Sequence, residues 1–328
     1  MMTTDSIRFA LRALGIAAAV QLGVAGSGHA QGFEATGCWG SQGSGNGQYW
    51  NPTGIVSDGA GHVFVADTRN NRVEKLDAYG HYMTKWGWLG TSTGCFDGPT
   101  GIAAYYGVLY VADRVNNRIE KFDTGGAFIR AWGGAGTHAG EFDWPIGVAV
   151  DAAGDVYVAD HGNHRIQKFD AFGNFLLQFG AYGTLDGQFE DVAGVAVGSD
   201  GTIYVSDYSL NRVQKFDAAG HYLGGWGATG TAPGMFDGVA GIAVASGIVF
   251  CADSGNNRIE AFDANGLLIA RWGELGELPG QFRSPAGITV DAGGSVFVTD
   301  AYNSRVQRFD IVTSVVPMTW SQVKSLWR

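Results

Sequence analysis

GVAVDAAGDVYVADHGNHRIQKFDAFGNFLLQFG, residues 147–180, is the stretch on which the fold turns. Its first apolar run, Gly147-Val-Ala-Val150, ends at a turn around Gly154, and Val156-Tyr-Val-Ala159 follows. A polar turn over residues 160–164 leads into Arg165-Ile-Gln-Lys-Phe169, and a glycine turn at Gly173 leads into a last run over residues 174–179. Short runs rich in β-branched and aromatic residues, each bounded by Gly, Asn or Asp, predict four strands in an antiparallel meander.

The same pattern recurs through the chain. Its invariant centre is an aspartate with an arginine five residues on: Asp67 and Arg72, Asp113 and Arg118, Asp160 and Arg165, Asp207 and Arg212, Asp253 and Arg258, Asp300 and Arg305. The aspartates are spaced 46, 47, 47, 46 and 47 apart. Four short strands in each period of that length are one blade of a β-propeller, so six copies predict an all-β, six-bladed ring. The unit resembles the NHL repeat, carried here by Asn70-Asn71-Arg72, Asn116-Asn117-Arg118, Asn163-His164-Arg165, Asn211-Arg212, Asn256-Asn257-Arg258 and Asn303-Ser304-Arg305. That resemblance spans residues 33–310 and implies the same six-bladed architecture.

Ring closure is legible too. The sixth unit stops at Asp310 without a final Trp-Gly strand, while Trp39-Gly40 stands 47 residues before Trp86-Gly87. Residues 31–40 are therefore expected to supply the outer strand of blade 6, which removes an open sheet edge. Blades 2 and 5 each lack one residue between the inner glycine and the aspartate (Gly101 to Asp113, Gly241 to Asp253).

The ends read differently. Arg8 and Arg12 precede a charge-free apolar run over residues 14–26 and small residues at Gly28-His29-Ala30, the pattern of a signal peptide over residues 1–30. An extracytoplasmic location follows: secreted, periplasmic or cell-surface. No later run reaches the roughly 18 apolar residues of a membrane span. Removing Asp5, Arg8 and Arg12 leaves 19 basic and 30 acidic residues, a formal charge of −11, which argues against nucleic acid as a partner. Cys38, Cys95 and Cys251 are too few for a disulfide framework. In the tail, residues 311–328, Thr319 and Gln322 have capping-box spacing and Trp320, Val323 and Trp327 share a helical face, which predicts a short helix.

A residue repeated in every blade serves the fold, so a site is sought where the copies differ. Strand order a, b, c, d puts the b–c turns and the d–a linkers on one face. There the copies present Arg69, Arg114, His161, Tyr208 and Tyr302 on turns, and Tyr49, Trp50, Trp88, Trp144, Tyr182 and Asp191 on linkers. Exposed aromatics with scattered arginines suit the recognition of a protein, peptide or glycan. Arg69 and Arg114, with Trp50 and Trp88, are expected to form one cluster, extended across the channel mouth by Tyr208 and Tyr302. The residues before the inner glycines, Thr53, Thr100, Ile146, Ala193, Ala240 and Ala286, are small or apolar. Similar propellers that act as amidating lyases or lactonases place histidines for zinc, or carboxylates and asparagine for calcium, near this channel. The seven histidines here do not converge from different blades, so neither a metal nor another cofactor is expected. The sequence thus favours a non-catalytic binding module, with a metal-dependent lyase or lactonase-like hydrolase as the alternative.

Overall fold

The computed structural model describes residues 32–311. The expected signal peptide and the tail helix lie outside them.

Six four-stranded antiparallel sheets are arranged as blades. Blade 3 runs Pro145–Val150, Val156–Asp160, Arg165–Phe169 and Phe175–Phe179, from the channel outward. Blades 1, 2, 4 and 5 repeat it over residues 55–86, 99–133, 192–226 and 239–272. Blade 6 joins Pro285–Val290, Val296–Asp300 and Arg305–Ile311 to the N-terminal strand Phe33–Trp39. Phe33 pairs with Ile311 and Trp39 with Val306, with a bulge between Ala35 and Gly37. The ring is closed by its own N-terminus. No described helix is long and apolar enough to cross a membrane.

The innermost strands approach so closely that one position must be glycine. A Cβ on Gly54 would collide with the carbonyl oxygen of Thr100, and one on Gly287 would collide with that of Thr53, which joins the last blade to the first. The shortened blades 2 and 5 close their a–b hairpins through Tyr106-Gly107 and Ser246-Gly247, all four left-handed, as a two-residue hairpin requires. The core lies between blades. Phe96, Phe142, Phe189, Phe236 and Phe282 are each fully buried, and Tyr49 fills the same position in the first linker. Tyr49 is therefore core, not the surface aromatic that its side chain suggests. All three cysteines are free thiols.

The repeated Asp–Arg pairs tie each turn to its linker. Asp67 has no exposed surface and accepts hydrogen bonds from Trp50 N (2.7 Å), Asn70 Nδ2 (2.7 Å) and Arg72 Nε (2.8 Å). Arg72 in turn donates to the carbonyls of Ser44, Gly45 and Gln48. Blade 4 departs from this because Leu210 stands where the other blades have Asn. Asp207 loses that bridge, Arg212 Nε lies 3.9 Å away, and this buried nitrogen has no hydrogen-bond partner among the described residues.

Candidate functional site

The b–c turns and linkers do share a face. Arg69 N donates to Trp50 O at 3.1 Å and Tyr208 N to Asp191 O at 2.9 Å, so each turn leans on the linker beside it. A channel of about 210 Å³ runs along the ring axis, walled by the inner glycines and by Ile55, Ile102, Val148, Val195, Ile242 and Ile288. Among the described residues, the only charged side chain that lines it is Arg114.

The residue after each repeated aspartate opens the b–c turn, on the side where Arg114 lines the channel, and its six copies fall into two sets. Thr68, Ser254 and Ala301, from blades 1, 5 and 6, are buried and small. Thr68 Oγ1 lies 2.7 Å from Thr53 Oγ1, and Ser254 Oγ donates to Pro285 O at 2.5 Å. Arg114, His161 and Tyr208, from blades 2, 3 and 4, are large and project. This face thus has one small wall and one polar wall.

The family model of the NHL repeat matches residues 49–76, 142–169, 189–216 and 282–309, which fall in blades 1, 3, 4 and 6 of this ring. This chain is an NHL-repeat propeller. The two blades that the family model passes over are those with the shortened a–b hairpin. No curated protein matches the chain. Among solved structures, a structural genomics protein of unknown function from Bacteroides thetaiotaomicron is similar at TM-score 0.67 and 17% identity, over 86% of this chain and 76% of the other. A streptogramin B lyase is similar at TM-score 0.59 and 17% identity, over 86% and 98%. A chain of a nidogen/laminin complex is similar at TM-score 0.58 and 16% identity, over 79% and 96%. At such identities the likeness establishes the fold alone.

Within the NHL propeller, each projecting residue on the polar wall meets the linker leading into the next blade, and the three meetings differ. The Arg114 guanidinium stacks on Trp144, 4.9 Å from the ring centroid. His161 Nδ1 lies 3.0 Å from Asp191 Oδ1 and 3.0 Å from Val192 O. Tyr208 covers Gly238, where a Cβ would touch its ring. Trp144, Asp191 and Gly238 are one position in three successive linkers. In five of the six linkers that position is left-handed: Asn51, Gly98, Trp144, Gly238 and Ser284. Trp144 holds φ 54° although it is bulky, a conformation that costs about 1–3 kcal/mol. The Asn117 side chain fixes it by accepting Trp144 N–H at 2.8 Å. In blade 3 His164 replaces that asparagine and bonds to Glu190 O instead, and Asp191 adopts an ordinary backbone and faces His161.

Charges follow this geometry. The hydrogen bond to Asp191 raises the His161 pKa against burial and against the nearby Arg114. Burial pushes Asp191 up, but the bond and charge of His161 outweigh it and hold its carboxyl low. Burial lowers the Arg114 pKa, and Asp97 opposes this.

The expected cluster divides. Arg69 is exposed and stacks on Trp50 (5.8 Å) at the rim, whereas Arg114 turns to the channel and takes Trp144, not Trp88. Trp88 and Tyr302 stand 65% and 67% exposed. Large apolar side chains are also exposed elsewhere, as at Phe128, Phe172 and Leu176 on blades 2 and 3, so apolar exposure alone does not single out the mouth. His62, His81 and His221 belong to turns, each against the aspartate four residues before it. Among the described residues no three His, Cys, Asp or Glu side chains gather as metal ligands do.

Proposed function

We propose that this NHL propeller is an exported, non-catalytic binding module that takes a protein, peptide or glycan on the b–c turn and linker face, over the channel mouth. The observation that carries this reading is the broken symmetry of the mouth. At the position after the repeated aspartate, three blades carry the small buried Thr68, Ser254 and Ala301 and three carry the larger Arg114, His161 and Tyr208, of which Arg114 lines the channel, while Trp50, Trp88 and Tyr302 stand exposed. Anchors of this kind, around a concavity, suit recognition. Export rests on the signal-like pattern of residues 1–30.

The alternative is a lyase or lactonase-like hydrolase acting at the same mouth. It is favoured by the His161–Asp191 pair, which has the composition of a base with an orienting carboxylate. One similar fold is a streptogramin B lyase and another belongs to a nidogen/laminin complex, so likeness does not choose between them.

The test is a screen of the full chain on peptide and glycan arrays, with Trp50→Ala/Trp88→Ala against a control on the opposite face, His62→Ala/His81→Ala. A partner weakened by about 1 kcal/mol or more in the first pair only supports the reading. Binding lost only in the control places the site on the other face.

A further inference from the structure

Arg114 is unlike the arginines of the scaffold. Among the described residues its guanidinium makes no side-chain hydrogen bond or ion pair, and its Nε is buried without a partner. A buried donor left unmade is costly. This one stands at the polar edge of a channel whose other lining groups are backbone, isoleucine, valine, alanine and threonine. Trp144 steadies it from a strained backbone. An unpaired cation, held by a residue in a costly conformation above an apolar cavity, has the form of a receptor for an anion with an apolar body.

We propose that the channel mouth is a carboxylate site, in which Arg114 takes the carboxylate of a small apolar acid and the body of that acid seats in the channel below. The inference rests on the reading of this face as the binding face and names its ligand chemistry. Several features select a monoanion. One guanidinium matches a carboxylate in a two-pronged bond. Asp97 and Asp191 lie close enough to act on Arg114 and His161, so a dianionic phosphate would meet more repulsion. His161, on the neighbouring blade, adds a second donor edge. The cavity, about 210 Å³, lies below the roughly 300–1,000 Å³ of sites for drug-sized ligands, so the seated part is no larger than one amino-acid side chain or a short acyl or aryl group. Two sources carry this chemistry: a polypeptide C-terminus with an apolar last residue, or a free apolar acid.

The experiment is calorimetric titration of the full chain with 4-phenylbutyrate, its uncharged twin 4-phenylbutyramide, N-acetyl-phenylalanine and inorganic phosphate, repeated on Arg114→Gln, Arg114→Lys and the rim control Arg69→Gln. The acids are expected to bind about tenfold or more tighter than the amide, as a charge-assisted bond requires. R114Q removes that difference, R114K retains part of it, and R69Q leaves it intact. Because the Arg114 side chain makes no hydrogen bond among the described residues and R114Q gives up only its stack on Trp144, R114Q should fold and melt within a few degrees of the parent, which separates a binding role from a structural one. If R114Q fails to fold, the arginine is structural and the proposal fails. Tighter binding of N-acetyl-phenylalanine assigns the acid to a chain end and tighter binding of phenylbutyrate to a free acid, and either supports the site. Equal binding of acid and amide, phosphate binding as tightly as the acids, discrimination surviving in R114Q, or no saturation by either acid at about 10 mM overturns it. If the acids fail while an array partner still depends on Trp50 and Trp88, this inference falls and the proposed face stands.

Discussion

Phe33 stacks on Trp272, ring centroids 4.2 Å apart and planes within 16°. Elsewhere a c–d turn glycine of one blade lies over the outer-strand aromatic of the blade before it: Gly126 over Trp86, Gly173 over Trp132, Gly266 over Trp226. Blade 6 has no c–d turn, because its outer strand comes from the other end of the chain. Phe33 covers Trp272 in its place. Deleting residues 33–40 should therefore expose a sheet edge and uncover blade 5, giving aggregation and a broad transition in place of a cooperative one. Phe33→Ala alone should cost about 1–3 kcal/mol, read by chemical denaturation. A truncated chain that melts like the full one would contradict the closure.

The second prediction concerns pH. Blades 1, 2 and 5 bury Glu74, Glu120 and Glu260 where blades 3, 4 and 6 have Gln167, Gln214 and Gln307. Burial pushes all three carboxyls up to about 7, against the nearby Arg72, Arg118 and Arg258. Since the folded state holds these protons more tightly than the unfolded chain, their contribution to stability is full below the ordinary value of 4.5 and is lost as pH rises to about 7. Glutamine needs no proton. Its Nε2 donates to a linker carbonyl at 2.7 Å, as in Gln167 to Glu141 O. The triple Glu→Gln variant should therefore gain about 5 °C in Tm at pH 8 and little at pH 4.5. Equal effects at both values would contradict the assignment.

The third prediction sets stability against binding. Trp144→Asn places in linker 3 the residue that linker 1 already carries in the same left-handed conformation, Asn51. Relief of strain should hold or raise stability by up to about 1 kcal/mol, while loss of the Arg114 stack should weaken ligand binding. Unfolding and binding measured on the same preparation check both. A destabilised protein with unchanged binding would mean that Trp144 serves the fold.

Leu210→Asn is a repair. It restores the asparagine that bridges the aspartate to its linker in every other blade, and should add about 1 kcal/mol by bringing Arg212 Nε back to Asp207. No gain in denaturation midpoint would mean that blade 4 is already relaxed around the longer contact.

The repeat made the scaffold legible because each of its residues is fixed by a need that every blade shares: a turn to tie, a glycine where strands crowd, a ring closed against solvent. The candidate site was legible only as a set of positions. Arg69 and Arg114 look alike in sequence as neighbours in the b–c turns. They stand at different offsets, Arg69 two residues after its aspartate and Arg114 one, and Arg69 meets Trp50 in the linker before its blade while Arg114 meets Trp144 in the linker after, contacts that only the ring geometry brings about. Tyr49 looks exposed in sequence because it is an aromatic residue in a linker, although its register with Phe96 and Phe142 marks it as core. That His161 meets Asp191 depends on His164 standing where four other blades have asparagine, a substitution visible in sequence whose effect on the next linker is not.

If one face and its channel mouth do the binding, hydrogen–deuterium exchange on the full chain, with and without a partner found on the arrays, should show new protection in the b–c turns at residues 114–117, 161–164 and 208–211 and in the linkers around Trp50, Trp88 and Trp144, with the a–b and c–d turns unchanged. Protection concentrated in the turns that carry His62, His81 and His221 would contradict it.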